Sequence, residues 1–305
     1  MDMRDMSLNF AGVKFKNPIV TASGTFGFGR EYNEYYDISK LGGICVKGLT
    51  LEPRLGNKPP RIAETAMGML NSVGLQNPGI DGFIRDELPF LKNIDIAVIA
   101  NISGNTVEEY AIMAEKLSDA KVDMIEVNVS CPNVKAGGMQ FGTSVDGIAS
   151  VTEAVKRSSK IPVMVKLSPN VTNISEMATV AENAGADAIS LINTLLAMRI
   201  DTVTRKPILH NNVGGLSGPA IFPVAVRMVW QVANAVKIPV LGMGGVMTGD
   251  NAIEMMLAGA NLVGIGTACF DDPYAPLEII KGIEKYMEQY EVDCVDDLVG
   301  KVTLN

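Results

Sequence analysis

Two lysines sit where lysines are costly. Lys47 lies in the apolar run ICVKGLT at 44–50, and Lys166 in PVMVKLS at 162–168. An ammonium in such a run needs an anion. Three readings are open: a salt bridge to a carboxylate such as Glu126, Schiff-base chemistry by a desolvated amine, or stabilisation of negative charge on a reduced cofactor or a substrate carboxylate. Cys131 closes the apolar run at 124–131 and precedes Pro132 and the Gly137-Gly138 loop. A free cysteine is usually a small core residue. At a loop it is a candidate base or nucleophile, although a thiol of pKa about 8.5 needs tuning to act at neutral pH.

Uncharged donors and acceptors surround these groups in sequence. Asn71, Asn128, Asn133 and Asn193 suit a flat heterocycle with alternating N–H and C=O. A turn or cap role is the competing reading, strongest for Asn71. Two glycine phrases, GMGG at 242–245 and GIGT at 264–267, each end an apolar run. They predict a phosphate site built from backbone N–H groups; tight turns or close packing are the plainer alternative.

These residues require a scaffold that collects strand ends. Apolar runs at 17–24, 44–50, 97–103, 124–131, 162–168, 188–194, 239–245 and 262–268 alternate with helix-like segments. They lack strict polar alternation, as buried parallel strands do. Eight such units predict an α/β fold, a (β/α)8 TIM barrel, over an open doubly wound sheet. KIPV recurs at 160–163 and 237–240, and AGAD at 184–187 is echoed by AGAN at 258–261, as repeated βα units would be. Thr106 to Glu109 and Asn173 to Glu176 read as capping boxes, Pro219 as a first helical position, and Gly185 and Gly259 as helix stops. Residues 7–15, with Ala11-Gly12 between short runs, predict a small N-terminal hairpin at the barrel bottom. The connections 51–95, 132–143 and 195–217 are long βα loops on the face where barrel enzymes keep their sites. In a barrel, Ser23, Lys47, Asn101, Asn128, Cys131, Lys166, Asn193, Thr194, Gly244, Gly245, Gly266 and Thr267 share one mouth.

Composition narrows the chemistry. Of 305 residues, 47% are hydrophobic and 20% charged, so a large core is available, and no linker divides the chain into more than one domain over 1–305. The net charge of −8 and the absence of a basic stripe argue against nucleic acid. No run approaches the roughly 18 apolar residues of a membrane span, and the N-terminus does not read as a signal peptide. His210 is the only histidine, which nearly excludes triad and histidine-metal chemistry. Cys45, Cys131, Cys269 and Cys294 form no CxxC or cluster pattern, as expected of a cytoplasmic chain without its own iron–sulfur centre.

The phrases ASG at 22–24, KG at 47–48, NSVGLQNP at 71–78, NVSCPN at 128–133, VKLSP at 165–169, INT at 192–194, GGLSGP at 214–219, GMGG at 242–245 and GIGT at 264–267 resemble, in order and over nearly the whole chain, the dihydroorotate dehydrogenases. Residues 285–305 are the least family-like. The resemblance implies a flavin-binding barrel that oxidises dihydroorotate to orotate in pyrimidine biosynthesis. It implies FMN held by Ser23, Lys47, Gly48, Asn101, Asn128, Lys166, Ile192, Gly218, Gly244, Gly245, Gly266 and Thr267. It implies substrate held by Lys47, Asn71, Ser72, Val73, Gly74, Leu75, Asn128, Asn193 and Thr194, with Asn133 a further candidate. Catalytic roles fall to Cys131 as base and to Lys166 for charge on the reduced flavin.

The membrane-anchored class of this family uses serine as base, so the cysteine implies the soluble class 1. Within it, NVKAGGMQFG at 133–142 and INTLLAMR at 192–199 resemble the NAD-linked type 1B. That type is a homodimer joined by an electron-transfer subunit carrying FAD and a 2Fe-2S cluster, giving a heterotetramer. The fumarate-using type 1A is the alternative within the class. A flavin-free Schiff-base lyase and a non-catalytic phosphate-binding barrel are the alternatives outside it, and dihydropyrimidine oxidation is a more distant one.

Overall fold

A computed structural model describes residues 4–129 and 141–305. In chain order the strands are β1 (Leu8–Phe10), β2 (Val13–Phe15), β3 (Ile19–Thr21), β4 (Gly43–Cys45), β5 (Ile62–Thr65), β6 (Gly68–Asn71), β7 (Ala97–Ile102) and β8 (Met124–Asn128). They continue with β9 (Val163–Lys166), β10 (Ala188–Leu191), β11 (Leu195–Ala197), β12 (Ile200–Asp201), β13 (Lys206–Pro207), β14 (Gly214–Ser217), β15 (Val240–Met243) and β16 (Leu262–Ile265).

Strands β3, β4, β7, β8, β9, β10, β15 and β16 pair in parallel in that order, and β16 returns to β3 to close a barrel. Each overlaps one of the eight apolar runs, β4 only at the first two residues of 44–50. Their side chains are almost all buried because the inner face meets the barrel interior and the outer face meets helices. The longer helices are Val107–Ala120, Val145–Ser158, Ile174–Asn183, Phe222–Ala233, Gly249–Leu257 and Ala275–Gln289. Most carry an apolar stripe, for example Tyr110, Met113, Ala114 and Leu117 in the first.

Local signals act much as expected. The hairpin β1–β2 turns at Ala11 and Gly12, with φ of 49° and 87°, and buries Phe10 and Phe15. A Cβ on Gly43 at the start of β4 would lie 2.9 Å from the Phe15 ring, so the hairpin covers the bottom of the barrel. Gly185 and Gly259 follow two helices with φ of 94° and 119°. Thr106 and Asn173 accept hydrogen bonds from the Glu109 and Glu176 amides, as N-caps do. The Thr106 box is incomplete, however: Glu109 reaches the Asn105 amide rather than that of Thr106, because its carboxylate also takes the Asn105 side-chain amide. Pro219 opens a 3-10 turn, Pro219–Ile221, which leads into the helix at Phe222.

The long loops are not irregular. Strands β5 and β6 come from the first, β11 and β14 from the third, and they form one antiparallel sheet in the order β11-β14-β6-β5. Two connections separated by about 100 residues of chain are thereby knitted together beyond the strand ends. The sequence reading gave no hint of this sheet, since its strands are only three or four residues long and pair at long range.

Candidate active site

At the centre of the barrel lies a buried carboxylate. Glu126 projects from β8 and is fully buried. Its Oε1 accepts from Ser190 Oγ of β10 at 2.7 Å. Its Oε2 accepts from Cys45 Sγ of β4 at 3.2 Å and from Asn101 Nδ2 of β7. The Lys166 ammonium of β9 lies 3.5 Å from the same oxygen, and its side chain is 6% exposed. Side chains from five strands can meet only inside the barrel. Burial alone would raise the Glu126 carboxyl, but the Lys166 charge and the bonds from Ser190, Asn101 and Cys45 outweigh it and hold it below its ordinary value. Burial, then the Glu126 charge, push the Cys45 thiol well up, so that it stays a protonated donor.

Lys47 stands above this cluster, two residues past Cys45. A Cβ on Gly24 would lie 3.5 Å from its Nζ. Among the described residues its ammonium makes no hydrogen bond or ion pair. Burial, then repulsion from Arg61, lower its proton affinity. An unpaired, partly buried cation is a ready anion site. On the neighbouring strand β7, Asn101 Oδ1 is a buried acceptor without a partner among the described residues. A Cβ on Gly48 would lie 2.8 Å from that oxygen and 3.2 Å from Leu75, so the glycine keeps the space open. Ser23 lies in the loop after β3, and its backbone N–H faces the Cys45 sulfur.

The amide residues come from both the barrel and the antiparallel sheet β11-β14-β6-β5 beyond its strand ends, called the lid below. Asn193 Nδ2 donates to Asn128 Oδ1 at 3.3 Å, and Asn193 Oδ1 accepts from the Thr194 amide at 2.8 Å. Asn71 at the end of β6 pairs in register with Gly215 of β14 and donates to its carbonyl at 3.4 Å. A Cβ on Gly215 would fall 1.9 Å from Thr194 Oγ1. Thr194 therefore packs on Gly215 and next to Asn71, which brings residues 71 and 194 to one place. The segment after Asn71 is shaped by Asn57. The Val73 carbonyl accepts from the Asn57 amide at 2.9 Å, the Ser72 carbonyl accepts from its side chain at 2.8 Å, and Gly74 lies against that side chain. Ser72 Oγ is buried without a partner among the described residues, and Leu75 has a φ of 55°.

A third group gathers at the ends of β15 and β16. Among the described residues, the backbone N–H groups of Gly244, Gly245, Gly266 and Thr267 donate to no protein acceptor. Gly244 and Gly245 have φ of 129° and 74°. A Cβ on Gly245 would lie 2.7 Å from the Gly218 carbonyl, and one on Gly244 3.2 Å from Ile192. Ile192 follows a cis peptide bond and donates its amide to Met243. Thr267 Oγ1 and Ser217 Oγ are 2.9 Å apart, tying the end of β16 to the lid. Free amides at this corner of a barrel form an anion cradle.

The structure thus brings together Lys47, Gly48, Asn101, Glu126 and Lys166 in one group, Asn71 to Leu75 with Asn128, Asn193 and Thr194 in a second, and Ile192, Gly218, Gly244, Gly245, Gly266 and Thr267 in a third. Cys131 and Asn133 lie outside the described residues. Lys166 makes the ion pair with Glu126. Glu126 itself was legible only as a partner, although an acid inside the apolar run MIEVNVSC is a signal of the same kind as a lysine there. Ser190, Cys45 and Gly215 gave no such signal, being small residues that read as core or turn. Among the described residues no group of histidine, cysteine, aspartate and glutamate could hold a metal ion.

Comparison with known proteins agrees with this geometry. The family model described as dihydroorotate dehydrogenase matches residues 5–287. A protein of Alkaliphilus oremlandii named dihydroorotate dehydrogenase B (NAD(+)), catalytic subunit, is 57% identical over 302 residues, covering 99% of this chain and 100% of that one. Proteins of the same name from Alkaliphilus metalliredigens and Thermoanaerobacter pseudethanolicus are 56% identical over 298 residues (98% of this chain and 99% of the relative) and 53% identical over 301 residues (99% and 100%). With end-to-end similarity at this level and a barrel mouth of the expected composition, the chain belongs to the dihydroorotate dehydrogenase family.

Proposed function

We propose that this chain oxidises (S)-dihydroorotate to orotate as the catalytic subunit of an NAD-linked enzyme, with FMN as its cofactor. The observation that carries the reading is a Lys47 ammonium and an Asn101 acceptor, each without a partner among the described residues, at a mouth that also offers four backbone amides with no acceptor among those residues. The two sets of groups suit the two ends of a flavin mononucleotide. The amides of Gly244, Gly245, Gly266 and Thr267 would hold its phosphate. Ser23, Lys47, Gly48, Asn101, Asn128, Lys166, Ile192 and Gly218 would surround the rest. When bound, FMN supplies the acceptor for the hydride that leaves C6 of the substrate.

The chain's own residues do the remaining work. Cys131 removes the proton from C5. Lys47 meets the substrate carboxylate, and Asn71, Asn128, Asn193 and Thr194 hold the ring edges, with Ser72 to Leu75 closing one side and Asn133 a further contact. Lys166 keeps a positive charge at the barrel centre, where negative charge develops. Its ion pair with Glu126, 3.5 Å away inside the barrel, disfavours the Schiff-base reading.

The relatives' name, catalytic subunit, supports a separate partner. We assign FAD, a 2Fe-2S cluster and the NAD site to that partner, and a heterotetramer built on a homodimer of this chain as the assembly. The continuous core from Leu8 to Leu298 supports a single domain over 1–305. The cytoplasm is the proposed location; among the described residues no helix is long and apolar enough to cross a membrane. The decisive experiment is an absorbance spectrum of the purified protein before and after anaerobic dihydroorotate. Bleaching of a flavin band is the expected result. A colourless protein that takes up no FMN would refute the reading, and reoxidation by fumarate without a partner would move the chain to type 1A.

A further inference from the structure

Glu126 has no place in the scheme above, yet the barrel devotes four other strands to it. Ser190, Cys45, Asn101 and Lys166 all converge on its two oxygens. A buried acid kept for stability alone would be unusual, since apolar replacements of buried ion pairs are often neutral or stabilising. The geometry at Lys166 is also telling. Asn128 and Lys166 are register partners, and Glu126 lies two residues below Asn128 on the same face, roughly 7 Å nearer the barrel bottom. The lysine stem starts level with the site and its ammonium makes one long contact, 3.5 Å, to the acid beneath. An ammonium has three donors. Among the described residues this is the only hydrogen bond or ion pair of the Lys166 ammonium, which leaves donors for the mouth.

We propose that Glu126 is a positioning residue for Lys166: it fixes the direction of the ammonium and offsets its charge, and so sets how strongly the mouth favours added negative charge on bound FMN. This rests on the reading that FMN occupies the mouth. With the pair intact the two charges nearly cancel. With a glutamine at 126, Lys166 becomes an uncompensated buried cation and favours reduced over oxidised FMN. Without Lys166 the acid loses its main source of charge stabilisation and, being fully buried, takes up a proton. Glutamine then differs little from the acid it replaces.

The test is the midpoint potential of bound FMN, measured by anaerobic titration of holoprotein with a dye reference. Glu126→Gln is expected to favour the reduced form at least tenfold, a positive shift of about 30 mV for a two-electron couple. In a Lys166→Met background the same change is expected to shift nothing. Glu126→Asp, which draws the carboxylate back from Lys166 by one methylene, moves the potential in the same direction by less and carries the test should Glu126→Gln not fold. An unchanged potential in Glu126→Gln, or in Glu126→Asp where that variant alone is available, overturns the proposal, as does an equal shift with and without Lys166. Protein that binds no FMN at all would instead refute the functional reading on which the proposal stands.

Discussion

The hydroxyl of Thr194 lies directly over the α-carbon of Gly215, so closely that a methyl group there would sit 1.9 Å from Thr194 Oγ1. Gly215 is also the register partner of Asn71. One glycine thus lets a barrel-end threonine and a lid asparagine share a surface. Gly215→Ala must displace Thr194 or part the lid from the barrel, since separations of this size cannot be absorbed in place. The KM for dihydroorotate is expected to rise at least tenfold, while the flavin-to-protein ratio stays that of the parent. Steady-state kinetics and the visible spectrum check both. A parental KM would remove Thr194 from the substrate site.

Lys47 gives a pH signature. Burial and Arg61 lower its proton affinity below the ordinary value of 10.5. A group whose folded value is depressed loses its proton early as pH rises, and a neutral amine cannot hold a carboxylate. The KM for dihydroorotate is therefore expected to be lowest below the depressed value and to climb before pH 10.5 is reached. Lys47→Arg should flatten the climb, because a guanidinium stays charged throughout. A climb of the same size and position in Lys47→Arg would separate the effect from residue 47.

The division between what could and could not be read from the sequence follows contact range. Barrel strands such as VMVK at 163–166 are apolar on both faces and lie next to their partners in chain order, so periodicity and spacing reveal them. The caps at Thr106 and Asn173 are local and were equally plain. The lid was not, because Asn71 meets Gly215 across 144 residues and neither strand is long enough to show a period. Glu126 was seen only through Lys166. That Asn101 Oδ1 has no partner among the described residues belongs to three dimensions alone: it depends on Gly48 standing opposite.

Cys131 is the residue on which turnover should depend most. Cys131→Ala is expected to keep its flavin and lose at least a hundredfold in kcat, the low end of what a general base contributes. Cys131→Ser should retain weak activity that rises with pH, since a hydroxyl gives up its proton less readily than a thiol. Stopped-flow reduction of the flavin by dihydroorotate isolates the step from later electron transfer. Parental reduction rates in the alanine variant would end the assignment, and a flat pH profile in the serine variant would count against it.

The phosphate end can be tested with two glycines that share a backbone problem but differ in surroundings. Gly245 has φ of 74° and Gly12 φ of 87°, both in the region that L-residues enter at a cost of about 1–2 kcal/mol. Around Gly12 a methyl group would meet nothing within 4 Å; at Gly245 it would lie 2.7 Å from the Gly218 carbonyl and 2.8 Å from Phe222. Gly12→Ala should thus lower thermal stability while leaving FMN affinity unchanged. Gly245→Ala should pay the same backbone cost and, in addition, force the loop after β15 away from Gly218, scattering the free amides. A tenfold or greater loss of FMN affinity, read by fluorescence during dilution of the holoprotein, is expected for Gly245→Ala alone. Equal affinities in the two variants would mean that the amides beyond β15 are not where the phosphate is held.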